Sequence, residues 1–597
     1  MPDPATPRHP AAVSSTRLNA TTIVVAALLA GLPAIATGLH LIQDPVGRGL
    51  LNPDSAMRLV RLEDILAAHA PLHTVMRDGS GAGALLHWSH LLDSLLLLLA
   101  APLQPFLGWP NALHLAGLGF GPLCLGALGV AIAWAAAPAA ATASRQGLLC
   151  LGAFAAGASV SVHGYGMMGV VHHHVLLAMA AVLSAGWALR ILRGHDPRGG
   201  GIALGAVAAA GLWLSPEALP FCLLSVGAVG VGWLTAPPLG RGPLATALFA
   251  SGTTLAALAT LAWLVDPPAT GLSAIEMDRL SLPLVLIGLG AALVGALAAI
   301  TGHRLATLAA TAALAAAWLT AFPNLLHGTS GLLTPDQVAV FLGPITEMQP
   351  IHGLDRVLWY LSGGLFAVVA LGVFAWQARR TPAGPVLIYA AACVLAAVAL
   401  ATGHIRFAAY PSLAGAAMLT VVLVAISASR VHPGLQSLGR VTVAAGLLAL
   451  PLLAPLTATA AQHDTAPTLP CRLAGAASLL ASHPGEVVLT GVNETPDILY
   501  RTRALTVGSL YHRNPEAFMR LRAAWRIIPT TDEPPPEFRA TRATLVLGCP
   551  GGPRSALLEG LPTTTLLDRL NAGTPPPWLH RIADAGPGGY VLYGVTP

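Results

Sequence analysis

The sequence predicts a mainly α-helical protein that threads a membrane many times and ends in a small α/β domain. Three observations carry that expectation. Of 597 residues, 55% are hydrophobic and only 10% charged, against roughly 25% charged in a soluble domain. Apolar runs long enough to cross about 30 Å of hydrocarbon recur along the chain. After residue 461 the pattern changes to short β-like runs, helical stretches and turns rich in Pro and Gly.

Thirteen apolar runs are predicted to span, near 21–42, 111–136, 146–163, 169–192, 201–215, 217–236, 243–265, 281–300, 303–322, 357–377, 384–402, 408–428 and 439–460. A further run, 91–107, is short and interrupted by Pro102 and Pro105, and reads as an interfacial or re-entrant helix. Arginines orient the set. Arg190, Arg193 and Arg198, then Arg379 and Arg380, then Arg430 and Arg440 mark cytoplasmic loops, because short basic loops resist translocation.

With thirteen spans, this parity puts the N-terminus inside and the C-terminus outside. The expected organisation is a cytoplasmic arm, 1–20, and a transmembrane domain, 21–461, with large external loops at 43–110 and 323–356. A periplasmic or otherwise extracytoplasmic α/β domain, 462–597, follows. Its β-like runs are Val487 to Thr490, Ala543 to Gly548 and Tyr590 to Val595, with a helical pattern over Pro515 to Trp525.

Composition also excludes functions. All 31 basic residues are Arg, so neither a Gly-Lys-Ser/Thr phosphate loop nor a lysine Schiff base is available. The chain has no ATPase of its own and no nucleic-acid module. Four of the six cysteines lie in apolar runs; Cys471 and Cys549 alone lie in the polar tail, where they can pair if that tail faces an oxidising compartment.

Four motifs at the expected outer face can carry chemistry. Asp54 opens a helical pattern with Ala56, Leu59, Leu62 and Leu66 on one face; by position alone it reads first as an N-cap. His172, His173 and His174 head an apolar run, and in an extended segment His172 and His174 share a face and can converge on a metal. Glu347 stands in Pro344-Ile345-Thr346-Glu347-Met348-Gln349-Pro350, and Arg406 occupies a very short outer loop, against the positive-inside trend, which points to an anionic partner such as phosphate. Glu217, after Pro216, reads as a helix-start carboxylate suited to the helix dipole and is not assigned to the site.

Together these motifs resemble the catalytic subunits of oligosaccharyltransferases and the wider GT-C class of membrane glycosyltransferases. Asp54 is similar to the acid of that family's first external loop, Glu347 to the glutamate of its Thr/Ser-Ile/Val-x-Glu motif, and Arg406 to its lipid-phosphate contact. The resemblance implies a GT-C-like bundle and a divalent metal, Mn²⁺ or Mg²⁺ with Zn²⁺ as a further option, held by Asp54, His172, His174 and Glu347. It also implies catalytic roles for Asp54 and Glu347 and a donor-phosphate contact at Arg406.

Two features depart from the family. His172 stands where bacterial relatives place an aspartate, and the tail lacks the Trp-Trp-Asp motif that reads an asparagine acceptor. The expected activity is therefore inverting transfer of a sugar from a polyprenyl-phosphate or polyprenyl-diphosphate donor to a glycan, lipid or protein acceptor. The expected location is a bacterial inner membrane, with the lipid bilayer as a partner. The rival reading is a polytopic transporter or lipid-linked-glycan flippase, which would place ionisable groups in mid-span or show inverted repeats.

Overall fold

The computed structural model describes residues 17–42, 44, 47–140, 145–343, 345–453, 471–552, 558 and 561–596. Most of the 1–20 arm, Pro344 and the join at 454–470 lie outside the described residues.

The first half of the helical part comprises α1 (Ala20–Leu41), α2 (Pro53–Ala68), α3 (His90–Ala100), α4 (Gln104–Ala136), α5 (Gln146–Ala158), α6 (Val160–Gly166), α7 (His174–Leu192), α8 (Pro197–Leu214) and α9 (Leu219–Thr235). The second half comprises α10 (Pro238–Val265), α11 (Leu282–Thr301), α12 (Arg304–Ala321), α13 (Pro335–Phe341), α14 (Leu354–Gln377), α15 (Gly384–Gly403), α16 (Ala409–Ala428) and α17 (Pro433–Ala449). Each apolar run thus contains a helix.

Among the described residues ten helices are long and apolar enough to cross a membrane, or eleven if α5 and α6, bent by 73°, form one span. The expected thirteen is not reached on length and composition. The opening of α8 on Pro197, Arg198 and three glycines dilutes its apolar character, and α17 has only 17 residues. The short run at 91–107 gives α3, whose 11 residues extend about 16 Å, too little to span.

Small residues set the packing. α1 lies against α4 and α5, α8 against α10, α10 against α11, and α14 against α15 and α16. A Cβ on Gly157 would come within 2.6 Å of the Ala30 backbone, so α5 approaches α1 more closely than any larger residue permits.

The first loop is not a surface appendage. α2 is buried on nearly every side from Ser55 to Asp64, rather than on one amphipathic face. The bundle covers one side of it and the tail helix at Thr495–Arg501 packs on another. Arg58 and Arg61, both buried, reach Asp93 on α3; Arg58 Nη1 lies 2.8 Å from Asp93 Oδ1, and its guanidinium sits 4.5 Å above the Trp88 ring. One carboxylate thereby binds two buried cations and fixes α2 to α3.

The tail folds as an α/β unit around a five-stranded mixed sheet. With a hairpin in the first loop supplying β1 (Thr74–Val75) and β2 (Ala84–Leu85), the sheet strands are β3 (Val487–Leu489), β4 (Leu505–Thr506), β5 (Leu545–Gly548), β6 (Leu579–Asp584) and β7 (Val591–Val595). Their order is β4-β3-β5-β7-β6, parallel from β4 through β5 and antiparallel beyond. The short β4 and the outward-facing β6 escape the sequence pattern, because neither shows a run of alternating burial. Cys471 and Cys549 are bonded, tying the start of the tail to the end of β5.

Polar contacts fasten the tail onto the first loop. Arg77 Nη1 donates to the carbonyls of Leu499 and Thr502, each at 2.7 Å. Asp78, fully buried, accepts from Thr506 and Ser509. Arg513 grips Asp278 and Glu276 of the α10–α11 connection.

Candidate active site

The local fold frees Asp54 for chemistry. The expected N-cap role belongs instead to Asn52, whose side chain accepts from the Asp54 backbone N–H at 2.7 Å. Pro53 and Asp54 occupy the first helical positions, so the Asp54 carboxylate projects beyond the helix start. Tyr511 Oη donates to Asp54 Oδ1 at 2.9 Å, and His172 Nε2 lies 3.4 Å from Asp54 Oδ2. Burial pushes the Asp54 carboxyl up, but the His172 imidazole and the Tyr511 hydroxyl outweigh it and hold it below the usual carboxylate range.

The histidine segment is delivered by a bend. Gly169 has φ +83°, and a Cβ there would meet Ile42 at 2.7 Å, so only glycine turns the chain from α6 into the site. Ser55 Oγ then accepts from Val171 N–H at 2.7 Å, locking the segment to the start of α2. His172 and His174 are buried and approach each other through Nδ1 at 2.7 Å, although His173 between them has helical backbone (φ −73°, ψ −20°) rather than the extended conformation expected.

The chain of contacts continues past the expected residues. His174 Nε2 stands 3.5 Å from Glu217 Oε2, and the other oxygen of Glu217 forms an ion pair with Arg406. Tyr165, brought in by the bend between α5 and α6, stacks on His174 at 4.5 Å between ring centroids and donates to Glu347 Oε2 at 2.7 Å. Arg406 also meets the Met348 sulfur at 3.1 Å, and His404 Nδ1 contacts Met348 O at 2.9 Å. The segments around Glu347 and Arg406 are therefore fastened to each other.

The structure thus gathers Asp54, His172, His174, Glu347 and Arg406 into one continuous polar network. The direct contacts run Asp54 to His172 to His174 to Glu217 to Arg406; Glu347 joins through Tyr165. Sequence reasoning missed Glu217, Tyr165 and Tyr511 as members. For Glu217 the available signal is its place between two apolar runs; for Tyr511 it is the polar cluster Tyr511 to Asn514 in the tail.

The donor set fits a divalent cation. Two imidazoles and three carboxylates lie within one network, and His174 Nε2 and Glu217 Oε2 are buried without a hydrogen-bond partner among the described residues.

Beside Glu217 an apolar cavity of about 1240 Å³ opens between α9, α11 and α12. Pro216, Leu219, Leu223, Leu289, Leu314 and Trp318 are among the side chains that line it.

No family model matches the chain, and no curated protein is similar to it in sequence. Solved structures are similar to it in fold. Archaeal oligosaccharyltransferase AglB from Archaeoglobus fulgidus, in complex with an inhibitory peptide and a dolichol-phosphate, superposes with a TM-score of 0.59 at 12% identity, over 96% of this chain and 74% of that one. The apo oligosaccharyltransferase of the same organism gives 0.58 at 14% identity, over 88% and 69%. Its complex with Zn and sulfate gives 0.58 at 13%, over 95% and 72%. The chain therefore shares, over most of its length, the fold of these oligosaccharyltransferase structures.

Proposed function

We propose that this protein is a membrane glycosyltransferase that takes a sugar from a polyprenyl-phosphate or polyprenyl-diphosphate donor. The observation that carries the reading is the convergence of Asp54, His172, His174, Glu217 and Arg406 in one polar network. A lipid-linked sugar needs an apolar path for its chain and a charged group for its phosphate; the cavity between α9, α11 and α12 suits the first and Arg406 the second. The dolichol-phosphate bound by the AglB neighbour supports the same donor class.

In this reading Asp54 orients an acceptor hydroxyl or takes its proton, and a single in-line displacement inverts the anomeric carbon. Its depressed pKa keeps it ionised at neutral pH, and the Tyr511 hydroxyl fixes its orientation. Arg406 neutralises charge developing on the leaving phosphate. Tyr165 donates to the Glu347 carboxylate and stacks on His174, linking the two. A divalent cation held among Asp54, His172, His174 and Glu347 supplies Lewis-acid stabilisation of phosphate oxygens when bound.

The acceptor is a hydroxyl-bearing glycan, lipid or protein. An asparagine acceptor is not supported, since the tail segment that reaches Asp54 is Tyr511-His512-Arg513-Asn514 rather than a Trp-Trp-Asp motif. The loops and tail face the extracytoplasmic side of a bacterial inner membrane, in keeping with the bonded Cys471 and Cys549. A transporter is disfavoured by the grouping of the ionisable residues at one end of the helices rather than in mid-span.

The test is transfer from labelled polyprenyl-linked sugars by membranes carrying wild type, Asp54→Ala or Glu347→Ala. Loss of transfer in both variants is expected, and full activity in both overturns the assignment.

A further inference from the structure

The far end of α2 carries a second charged cluster, away from the network that begins at Asp54. Glu63 lies on the same helix, and the rise per residue places it about 14 Å along the axis from Asp54. Beside Glu63 a cavity of about 200 Å³ opens between α2, the segment after β1 and the tail. The guanidiniums of Arg48, Arg77, Arg501 and Arg503 line it, with Glu63 as the carboxylate in the wall. Arg48 precedes α2, Arg77 follows β1, and Arg501 and Arg503 stand at the end of the tail helix Thr495–Arg501. The fold therefore draws like charges together from three distant parts of the chain, which costs free energy unless anions offset them.

Carboxylates of the chain offset part of the cluster. Arg48 pairs with Glu63, Arg77 Nε lies 3.3 Å from Asp64 Oδ1, and Arg501 reaches Asp44 at 3.4 Å and Asp497 at 3.7 Å. None of those three aspartates lines the cavity. Arg503 is exposed, and its side chain has no hydrogen bond or ion pair among the described residues. Arg48 Nε is buried, likewise without a hydrogen-bond partner among them. Burial lowers the Arg77 pKa, Asp64 opposes that, and Arg503 lowers it further, so the unpaired guanidinium acts on its neighbour across the cavity.

We propose that this cavity is a second ligand site and that it binds a phosphate group. Guanidiniums are the side chains best suited to phosphate oxygens, because their planar forks donate in pairs. Three of the four are already held in place. Arg77 Nη1 donates to the carbonyls of Leu499 and Thr502, Arg501 Nη1 donates to Gly47 O at 2.6 Å, and the Arg48 guanidinium lies 4.0 Å above the Tyr500 ring. Groups fixed in this way lose little side-chain freedom when a ligand arrives.

Charge and size both favour phosphate. A carboxylate brings one charge, whereas a phosphate monoester brings close to two and three strong acceptor oxygens, a closer match to a wall with four guanidiniums and one carboxylate. The volume of about 200 Å³ is below the roughly 300–1,000 Å³ of sites for drug-sized ligands, so the cavity suits a phosphate or a headgroup rather than a sugar chain. A membrane surface is within reach: α1 ends at Leu41, and the chain from there to Gly47, which Arg501 holds, extends at most about 20 Å. The phosphate can thus belong to a phospholipid headgroup or to a soluble molecule. The site stands apart from the glycosyltransferase reading and does not depend on it.

The experiment titrates inorganic phosphate into full-length protein in phosphatidylcholine nanodiscs and follows its line broadening by phosphorus NMR. Arg406→Gln serves as the background, so that the phosphate contact of the candidate active site does not report. Binding is expected in that background and should weaken as salt is raised. Arg503→Gln should weaken it about fivefold or more, and Arg48→Gln should do the same. Because Arg503 is exposed and unpaired, its replacement should leave the thermal unfolding midpoint unchanged. Where Arg406→Gln does not fold, Arg503→Gln is compared directly with wild type.

Nanodiscs containing phosphatidylglycerol separate the two sources. Loss of phosphate binding in them shows that an anionic headgroup takes the cavity, and unchanged binding shows that the ligand is soluble; both support a phosphate site. Equal phosphate binding with and without Arg503→Gln overturns the proposal, as does absence of binding in phosphatidylcholine nanodiscs. Sugar transfer is not the readout, so failure here is distinguishable from failure of the glycosyltransferase reading.

Discussion

Tyr511 Oη donates to Asp54 Oδ1 at 2.9 Å across 457 positions of sequence, so the tail domain reaches into the candidate site and touches its leading carboxylate. The phenol is buried, and burial followed by the Asp54 charge raises its pKa well above the ordinary value, so it is always the donor. Removing the hydroxyl should be felt as chemistry rather than as folding. A hydrogen bond to a charged group contributes about 1.5–3 kcal/mol. Tyr511→Phe should lower sugar transfer about tenfold or more. The acidic limb of its pH–rate profile should move upward, because Asp54 loses one of the contacts that depress its pKa. An unchanged profile would show that Asp54 does not titrate in the reaction.

Among the described residues, Asp93 is the carboxylate that pairs with both Arg58 and Arg61. Asp93→Ala leaves two buried guanidiniums facing each other, and breaking a buried pair in this way costs about 3–5 kcal/mol. Thermal unfolding in detergent should show a large fall in midpoint and loss of transfer. Arg58→Met with Asp93→Ala should destabilise less than the sum of the two single changes, because the removed charges are partners.

Acid should loosen the attachment of the first loop. Burial, and then the nearby Arg279, depresses the His73 pKa to about 4; burial, and then His512, depresses that of His87 to about 3. Both imidazoles are therefore neutral when folded. Their contribution to stability is complete above an unfolded pKa of about 6.5 and is lost as pH falls from there toward the folded values. At about 1.36 kcal/mol per unit the upper bounds are about 3 kcal/mol for His73 and about 5 kcal/mol for His87. Denaturation midpoints measured between pH 7 and 4.5 should fall steeply, and His73→Gln should flatten the slope. A pH-independent midpoint would contradict the buried neutral state.

The Cys471–Cys549 bond closes a loop with a sequence separation of 78. Chain-entropy reasoning gives about 4 kcal/mol for a loop of this length. Reductant, or Cys471→Ser with Cys549→Ser, should expose the tail to limited proteolysis at lower temperature while leaving the helical bundle protected. Equal protease resistance with and without reductant would show that the sheet and its docking contacts suffice alone.

The helical architecture was legible because its cause is local. A run of apolar residues specifies a helix in hydrocarbon whatever its neighbours are, and every such run here contains one. Asp54, His172, His174, Glu347 and Arg406 were also legible, as polar groups placed where an apolar chain bears a cost for them. Span number was less so: α8 and the bent pair of α5 and α6 show that length and composition blur where glycine and proline dilute a run.

Asn52, not Asp54, caps α2, a distinction of two residues that the sequence cannot make and on which the freedom of the Asp54 carboxylate depends. Glu217 reads in sequence as an ordinary helix-start acid; only the packing of α7, α9 and α16 brings it between His174 and Arg406. The sequence alone determined that this is a multi-helix membrane protein with a polar face and a folded tail, since hydropathy acts along one dimension. The tertiary structure decided which polar groups face one another, because that depends on helix crossings and on a tail docked hundreds of residues away, and those contacts define the site.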